Sequence, residues 1–376
     1  MSCITDLELS WVRAPLDNPV SAAGMNFTYR DYLLVKLECS DGSVGIGFSY
    51  VGVGGGRSAL YAASDLFAER IVGQNADNIE AIWQMMYDAT LIQGRAGVVM
   101  NALSAIDIAL WDRKARSINQ PLCQLLGGSI DTPIKAYASG GYYAPGKDLD
   151  GLREEVQAWK NAGFKAVKIK AGKLSLKEEE ARVAAVRDVI GEDCLLMLDL
   201  YNAMGNLGES VQFADMYRAY NPYWIEDPFK PDDLDNFIRL GQRVNTPLAT
   251  GEFHYSPNTF RTILETGAAT VIQAEAPRVG GITQWRKIAS LVSGYGGVVN
   301  PCWFHQLHAQ LLPSVSGGEF VEYFPDNSIL NFNRLIKGDE MELKEGMVHL
   351  SAREGVGFEF DEQAITDFEH ERIRFS

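Results

Sequence analysis

Short apolar runs separated by longer amphipathic stretches recur through the chain after Thr132. The runs are Ile134–Ala138, Ala166–Lys170, Leu195–Asp199, Tyr223–Glu226, Leu248–Glu252, Thr270–Glu275, Gly296–Asn300 and Glu319–Tyr323. Their length and bounding turn residues predict buried strands. The stretches between them, such as Leu152–Ala162, Leu176–Ile190 and Ile282–Val292, have helical periodicity. Eight strand–helix steps spaced roughly 25 to 30 residues apart predict an α/β fold, a (β/α) barrel. An open doubly wound sheet would carry a glycine-rich phosphate turn after its first strand, and none is present.

The first 128 residues have a different texture. Tyr32–Cys39 and Val44–Tyr50 flank the turn Ser40-Asp41-Gly42-Ser43 and predict a hairpin. From Ser58 to Leu126 the pattern is helical, most clearly over Val98–Ala115, where Leu103, Ile106, Leu110 and Lys114 fall on one stripe. Gly127-Gly128 closes this block, so residues 1–128 read as an α+β domain and 129–330 as the barrel. Residues 331–376 hold strand-like pieces, Val348–Leu350 and Phe358–Phe360, expected to return to the N-terminal domain. Two segments, Asn18–Arg30 and Val51–Arg57 with its four glycines, are expected to be mobile loops covering a site.

Composition narrows the partners. The chain has 376 residues, 46% of them hydrophobic, and a formal net charge of −15. That charge disfavours nucleic acid and anionic membranes, so an anionic substrate must be drawn in by local positive charge. No apolar run is long enough to span a membrane and no secretory signal is expected at the N-terminus. Five cysteines without a CxxC spacing fit reduced thiols in a cytoplasm.

The candidate chemistry lies at the strand ends. Lys168 and Lys170 share one face of their strand, because side chains alternate along it. Later strands close on Asp199, Glu226, Glu252 and Glu275, and the last carries Glu322. In a barrel these ends converge on one mouth. Five acids there require a counter-ion, and carboxylate oxygens without a His or Cys set select a hard cation such as Mg²⁺. Asp199, Glu226 and Glu252, at intervals of 27 and 26 residues, form the candidate metal set. A lysine beside such a cation and a second ammonium can reach its neutral form and act as a general base.

With these residues in place the chain resembles the enolase superfamily, in particular the mandelate racemase subgroup. The resemblance is carried by Lys168-Ile-Lys170, Asp199, Trp224-Ile-Glu226-Asp-Pro, Thr250-Gly-Glu252, Arg278-Val-Gly280-Gly281-Ile-Thr, Glu322-Tyr323 and the helix Asn101–Asp112. It implies an α+β capping domain on a (β/α)₇β TIM-like barrel, one Mg²⁺ per subunit held by Asp199, Glu226 and Glu252, and removal of a proton α to a carboxylate. It assigns Lys170 as the base and Lys168 to the substrate carboxylate, and implies a homo-oligomer.

Two positions depart from the subgroup. Glu275 stands where an Asp is usual, and Cys302 where a His is usual, so the second acid/base dyad is missing. His305, three residues on, is expected to turn into the mouth as the general acid, with Glu275 orienting it; His308 is expected to begin the next helix. Cys302 is a weaker candidate, because an ordinary thiol is a poor donor to a leaving hydroxyl. Tyr137, Tyr142, Tyr201, Asn202 and His254, with Cys302 and Glu322, are expected to contact substrate. This set points to a dehydratase of a polyhydroxylated carboxylate. A racemase, epimerase or cycloisomerase is the alternative, and a carboxylate-binding barrel without turnover a second one.

Overall fold

A computed structural model describes residues 2–22, 25–325 and 330–376. The N-terminal sheet contains β1 (Ile4–Ala22), β2 (Met25–Cys39) and β3 (Val44–Gly52), antiparallel in that order. The helix α1 (Val98–Ser117) lies across it, and its close approach explains two glycines. A Cβ at Gly45 or Gly47 would sit 2.1 and 2.0 Å from the carbonyl oxygens of Ala109 and Ala105. Because it is covered on several sides, α1 is buried well beyond the predicted stripe, and Lys114 leaves that stripe to pair with Asp77.

The barrel wall is built from β4 (Ile134–Gly140), β5 (Ala166–Lys170), β6 (Leu195–Asp199), β7 (Trp224–Glu226), β8 (Leu248–Thr250), β9 (Val271–Ile272), β10 (Val298–Val299) and β11 (Phe320–Tyr323). Each is parallel to its neighbour. The ring closes where β11 pairs with β4 and where Val299 bridges Gly318. Several strands stop earlier than their apolar runs. Gly251, at φ +150°, turns the chain out of β8 so that Glu252 lies just beyond it. Pro277, which has no N–H for a ladder, follows Glu275 in a short helix.

Two capping expectations need correction. Asn18–Arg30 is not a loop over most of its length: β1 and β2 continue through it, pairing Val20 with Phe27 and Ala22 with Met25, while Ala23 and Gly24 lie outside the described residues. The Val51–Arg57 turn is tied down, since Asp31 accepts from Gly54 N (3.1 Å) and Gly56 N (3.2 Å) while pairing with Arg13. In the tail, β12 (Met347–His349) joins the barrel at β4, while β13 (Glu369–Phe375) adds to the N-terminal sheet at β1 and Phe332 and Phe358 pack on Phe48 of β3.

Polar groups join cap to barrel. Asp107 of α1 accepts from Thr283 N (2.9 Å) and Thr283 Oγ1 (2.6 Å), and Ser104 accepts from Gly280 N (2.8 Å). Among the described residues no helix is long and apolar enough to cross a membrane.

Candidate active site

The barrel register sets the site. Lys168 is opposite Met197, and Lys170 is opposite Asp199, which in turn is opposite Glu226. Both lysines are buried. Lys168 Nζ stands 2.7 and 2.9 Å from the two Glu226 oxygens, 2.9 Å from Glu322 Oε1 and 3.7 Å from Asp199 Oδ2. Lys170 pairs with Asp199, and the rings of Tyr142 and Tyr201 lie 5.2 and 4.8 Å from its Nζ. Burial opposes both ammonium groups, but Glu226 and Glu322 around Lys168, and Asp199 beside Lys170, outweigh it and hold both well above the usual lysine value. The neutral lysine expected from sequence is therefore not favoured by these side chains alone. Asp199 is held below its usual value: burial works against its charge, and the two lysines prevail. Burial, reinforced by Asp199, pushes Glu226 up to about 8.

Across the mouth lies a different group. Arg278 Nε is 3.3 Å from Glu275 Oε2, and the Cys302 thiol is 3.4 Å from Glu275 Oε1. Burial raises Glu275 to about 7 against the pull of Arg278, and raises the Cys302 thiol further above its usual range. Trp303 closes this wall: its Nε1 donates to Glu252 Oε2 (2.7 Å) and its backbone N to Glu322 Oε2 (2.6 Å).

The carboxylates suit a hard divalent cation, but the predicted ligands do not converge as a set in this structure. Lys168 and Lys170 engage Glu226 and Asp199, and among the described residues the donor atoms lying within 4.8 Å of one another are those of Glu252, Glu275 and Cys302. Six buried carboxyl groups (Asp199, Glu226, Asp227, Glu252, Glu275 and Glu322) meet three barrel cations, Lys168, Lys170 and Arg278. Glu252 Oε1 is buried without a hydrogen-bond partner among the described residues. A carboxylate oxygen in that position calls for a cation.

Not every expected residue reaches the mouth. His305 is turned away: its ring lies 4.5 Å from that of Tyr323, and Tyr323 faces outward from β11, on the side opposite Glu322. Burial lowers its pKa to about 3. The period-two alternation of β11 thus excludes the imidazole from the site. His308 lies in the first turn of the helix α2 (His305–Leu311) and is neutral, with Nδ1 donating to Trp303 O (3.1 Å) and Nε2 accepting from Ala276 N (3.1 Å). Tyr137 lies in the interior layer beneath the lysines with Trp224 and Phe320, a plug rather than a substrate contact. His254 sits edge-on to Phe260 in the outer core. Tyr142, Asn202, Cys302 and Glu322 remain near the cluster, and Asn202 Oδ1 has no hydrogen-bond partner among the described residues.

Other site residues had no place in the sequence reading. Gln273 donates to Glu226 Oε2 (2.8 Å), and its position two before Glu275 could have flagged it by strand parity. Arg30 is buried in the cap, bonded to Tyr50 Oη (2.7 Å) and 5.3 Å from the Trp303 ring. Trp303 carries no motif; only its turn geometry brings it in.

A parallel barrel whose strand ends bring two buried lysines among a cluster of carboxylates defines an enzyme of carboxylate-adjacent proton chemistry. Residues 151–364 match the enolase C-terminal domain-like family and 5–127 the mandelate racemase / muconate lactonizing enzyme N-terminal domain, so the chain belongs to that family. It is 31% identical over 365 residues to L-talarate/galactarate dehydratase of Salmonella typhimurium, covering 95% of this chain and 89% of the relative. It is 30% identical to D-galactarolactone cycloisomerase of Agrobacterium fabrum, covering 97% and 98%. Among solved structures, an L-talarate dehydratase from a Polaromonas species, complexed with Mg and L-glucarate, superposes with a TM-score of 0.91 at 28% identity, covering 100% of this chain and 99% of that one.

Proposed function

We propose that this chain is an Mg²⁺-dependent acid-sugar dehydratase that removes the proton α to a carboxylate and eliminates water from the neighbouring carbon. The observation that carries the reading is the asymmetry of the mouth: a lysine pair on one wall, and a thiol–carboxyl pair without an imidazole on the other. Asp199, Glu226 and Glu252 would hold the ion. When bound, Mg²⁺ supplies Lewis-acid stabilisation of the charge that builds on the substrate carboxylate. Lys170 takes the α-proton, and Lys168, anchored by Glu226 and Glu322, faces the carboxylate. Because His305 is outside the barrel wall, Lys170 also returns the proton to the departing hydroxyl, on a syn path. Tyr142 and Asn202 offer hydrogen bonds to the sugar hydroxyls.

The relatives named as talarate/galactarate dehydratases support the substrate class. The cycloisomerase relative keeps an isomerase as second reading. Racemisation is disfavoured, since it needs a base on each face and the second wall has none of the usual kind. A cytoplasmic location, supported by five free thiols, belongs to the same proposal, as does the homo-oligomer that the family resemblance implies. Incubation with a panel of mono- and diacid sugars in D₂O tests it. Deuterium incorporation with formation of a 2-keto product is the expected result; exchange with inversion or ring opening would replace dehydration by the isomerase reading.

A further inference from the structure

The turn after β10 contains two consecutive large residues in left-handed backbone, Trp303 at φ +59° and Phe304 at φ +31°. Such a conformation is strained for bulky residues and persists where the surroundings enforce it. Here they do. Trp303 N donates to Glu322 Oε2, and Trp303 O accepts from His308 Nδ1. The indole lies between the rings of Tyr50 from the cap and Phe324 from the barrel, with centroids 5.3 and 5.4 Å away. Held this way, Nε1 points at Glu252 Oε2, 2.7 Å distant.

An indole N–H can only donate, so this bond has one sense. It occupies one oxygen of Glu252 and leaves the other, Oε1, buried and without a hydrogen-bond partner among the described residues. We infer that Trp303 is a positioning residue for the divalent cation: its N–H fixes Glu252 so that one oxygen is presented to the ion, and its ring ties that ligand to the capping domain through Tyr50. The inference rests on the Mg²⁺ reading above. Partners of this kind around a ligand typically change metal affinity by about 10- to 100-fold when removed.

The test is calorimetric titration of chelator-treated full-length protein with Mg²⁺, comparing wild type with Trp303→Phe, which keeps a stacking ring and loses the N–H. The expected result is an Mg²⁺ Kd raised about tenfold or more. A merely structural role would lower Tm and leave Kd in place, so a Kd within twofold of wild type overturns the positioning role while the metal reading stands. Absence of saturable Mg²⁺ binding by wild type overturns both. A crystal structure of wild type with Mg²⁺ decides independently of how the variant folds. The Trp303–Glu252 bond should persist with the other Glu252 oxygen on the ion; a ring swung away, or both oxygens on the metal, overturns the inference.

Discussion

Lys168 Nζ stands 2.9 Å from Glu322 Oε1, on the strand that closes the barrel, while holding both oxygens of Glu226. Lys170, two residues on, has Asp199 as its one ion-pair partner among the described residues, beneath the rings of Tyr142 and Tyr201. The two lysines are therefore not interchangeable. Lys168 is committed as a fixed cation, and Lys170 needs to lose only one partner to become a base. Lys170→Ala should lower α-proton exchange in D₂O by about 10³-fold, the scale of general-base catalysis. Lys168→Met should chiefly raise KM for the carboxylate substrate. Equal exchange by Lys170→Ala and wild type would remove the base from this wall.

Glu226 accepts from Lys168, Trp224 Nε1 (3.0 Å) and Gln273 Nε2 (2.8 Å). Glu226→Gln keeps the shape and removes the charge. Calorimetry should show Mg²⁺ affinity reduced by about tenfold or more and turnover lost, with a cooperative thermal transition retained. Unchanged Mg²⁺ affinity would take Glu226 out of the ligand set.

Gly281 illustrates what joins the two parts of the fold. Its φ is +81°, and a Cβ would lie 2.2 Å from Asp107 Oδ2, the carboxylate that grips Thr283. Gly281→Ala should destabilise the protein by about 3 kcal/mol, from backbone strain plus displacement of a buried carboxylate. The Tm in a thermal melt reads this directly, and a shift of less than a degree would show that the cap contact relaxes freely.

These residues also show what a sequence carries and what it hides. Lys168, Lys170, Asp199 and Glu226 were legible because each closes or lines a short apolar run, and strand parity fixes their face. The barrel followed from the spacing of those runs. The fate of His305 was not legible, since it depends on which side of β11 the helix α2 packs, a tertiary choice without a local pattern. Trp303 was hidden for a related reason: left-handed backbone at an aromatic residue is contrary to local preference, and only the surrounding bonds enforce it. The Asn18–Arg30 segment looked like a loop because its polar residues suit a hairpin arm that projects over the barrel as well as they suit a turn.

His308 gives the fold a pH dependence with a definite sign. Burial lowers its pKa to about 4, and its neutral ring joins Trp303 O to Ala276 N. An unfolded histidine titrates near 6.5, so between about pH 6.5 and 4 the unfolded chain binds the extra proton and the folded one does not. The stabilisation is present above 6.5 and is lost as pH falls toward 4. By pH 5 the loss is on the order of 2 kcal/mol, and His305, lowered to about 3, adds to it with the same sign. His308→Gln should flatten the fall in Tm between pH 7 and 5, whereas an unaltered slope would place the dependence elsewhere.

The remaining question is the second proton. Hydroxide leaves poorly without a donor, and the wall facing Lys170 offers Glu275 and Cys302 in place of an imidazole. Glu275 is held by Arg278 at 3.3 Å and takes the Cys302 thiol at 3.4 Å, so both groups are occupied with each other. A thiol raised by burial is a weak acid for this task. Lys170, protonated by the first step, already carries the required proton on the face from which it came. We therefore expect Cys302→Ser and Glu275→Gln to retain both exchange and dehydration within about tenfold of wild type, well inside the 10²–10⁴ range of a missing general acid. The eliminated hydroxyl should leave from the same face as the α-proton, which the stereochemistry of the 2-keto product's precursor in a panel of epimeric sugars reveals. Should Glu275→Gln keep exchange and lose dehydration, Glu275 is the acid and the elimination is anti.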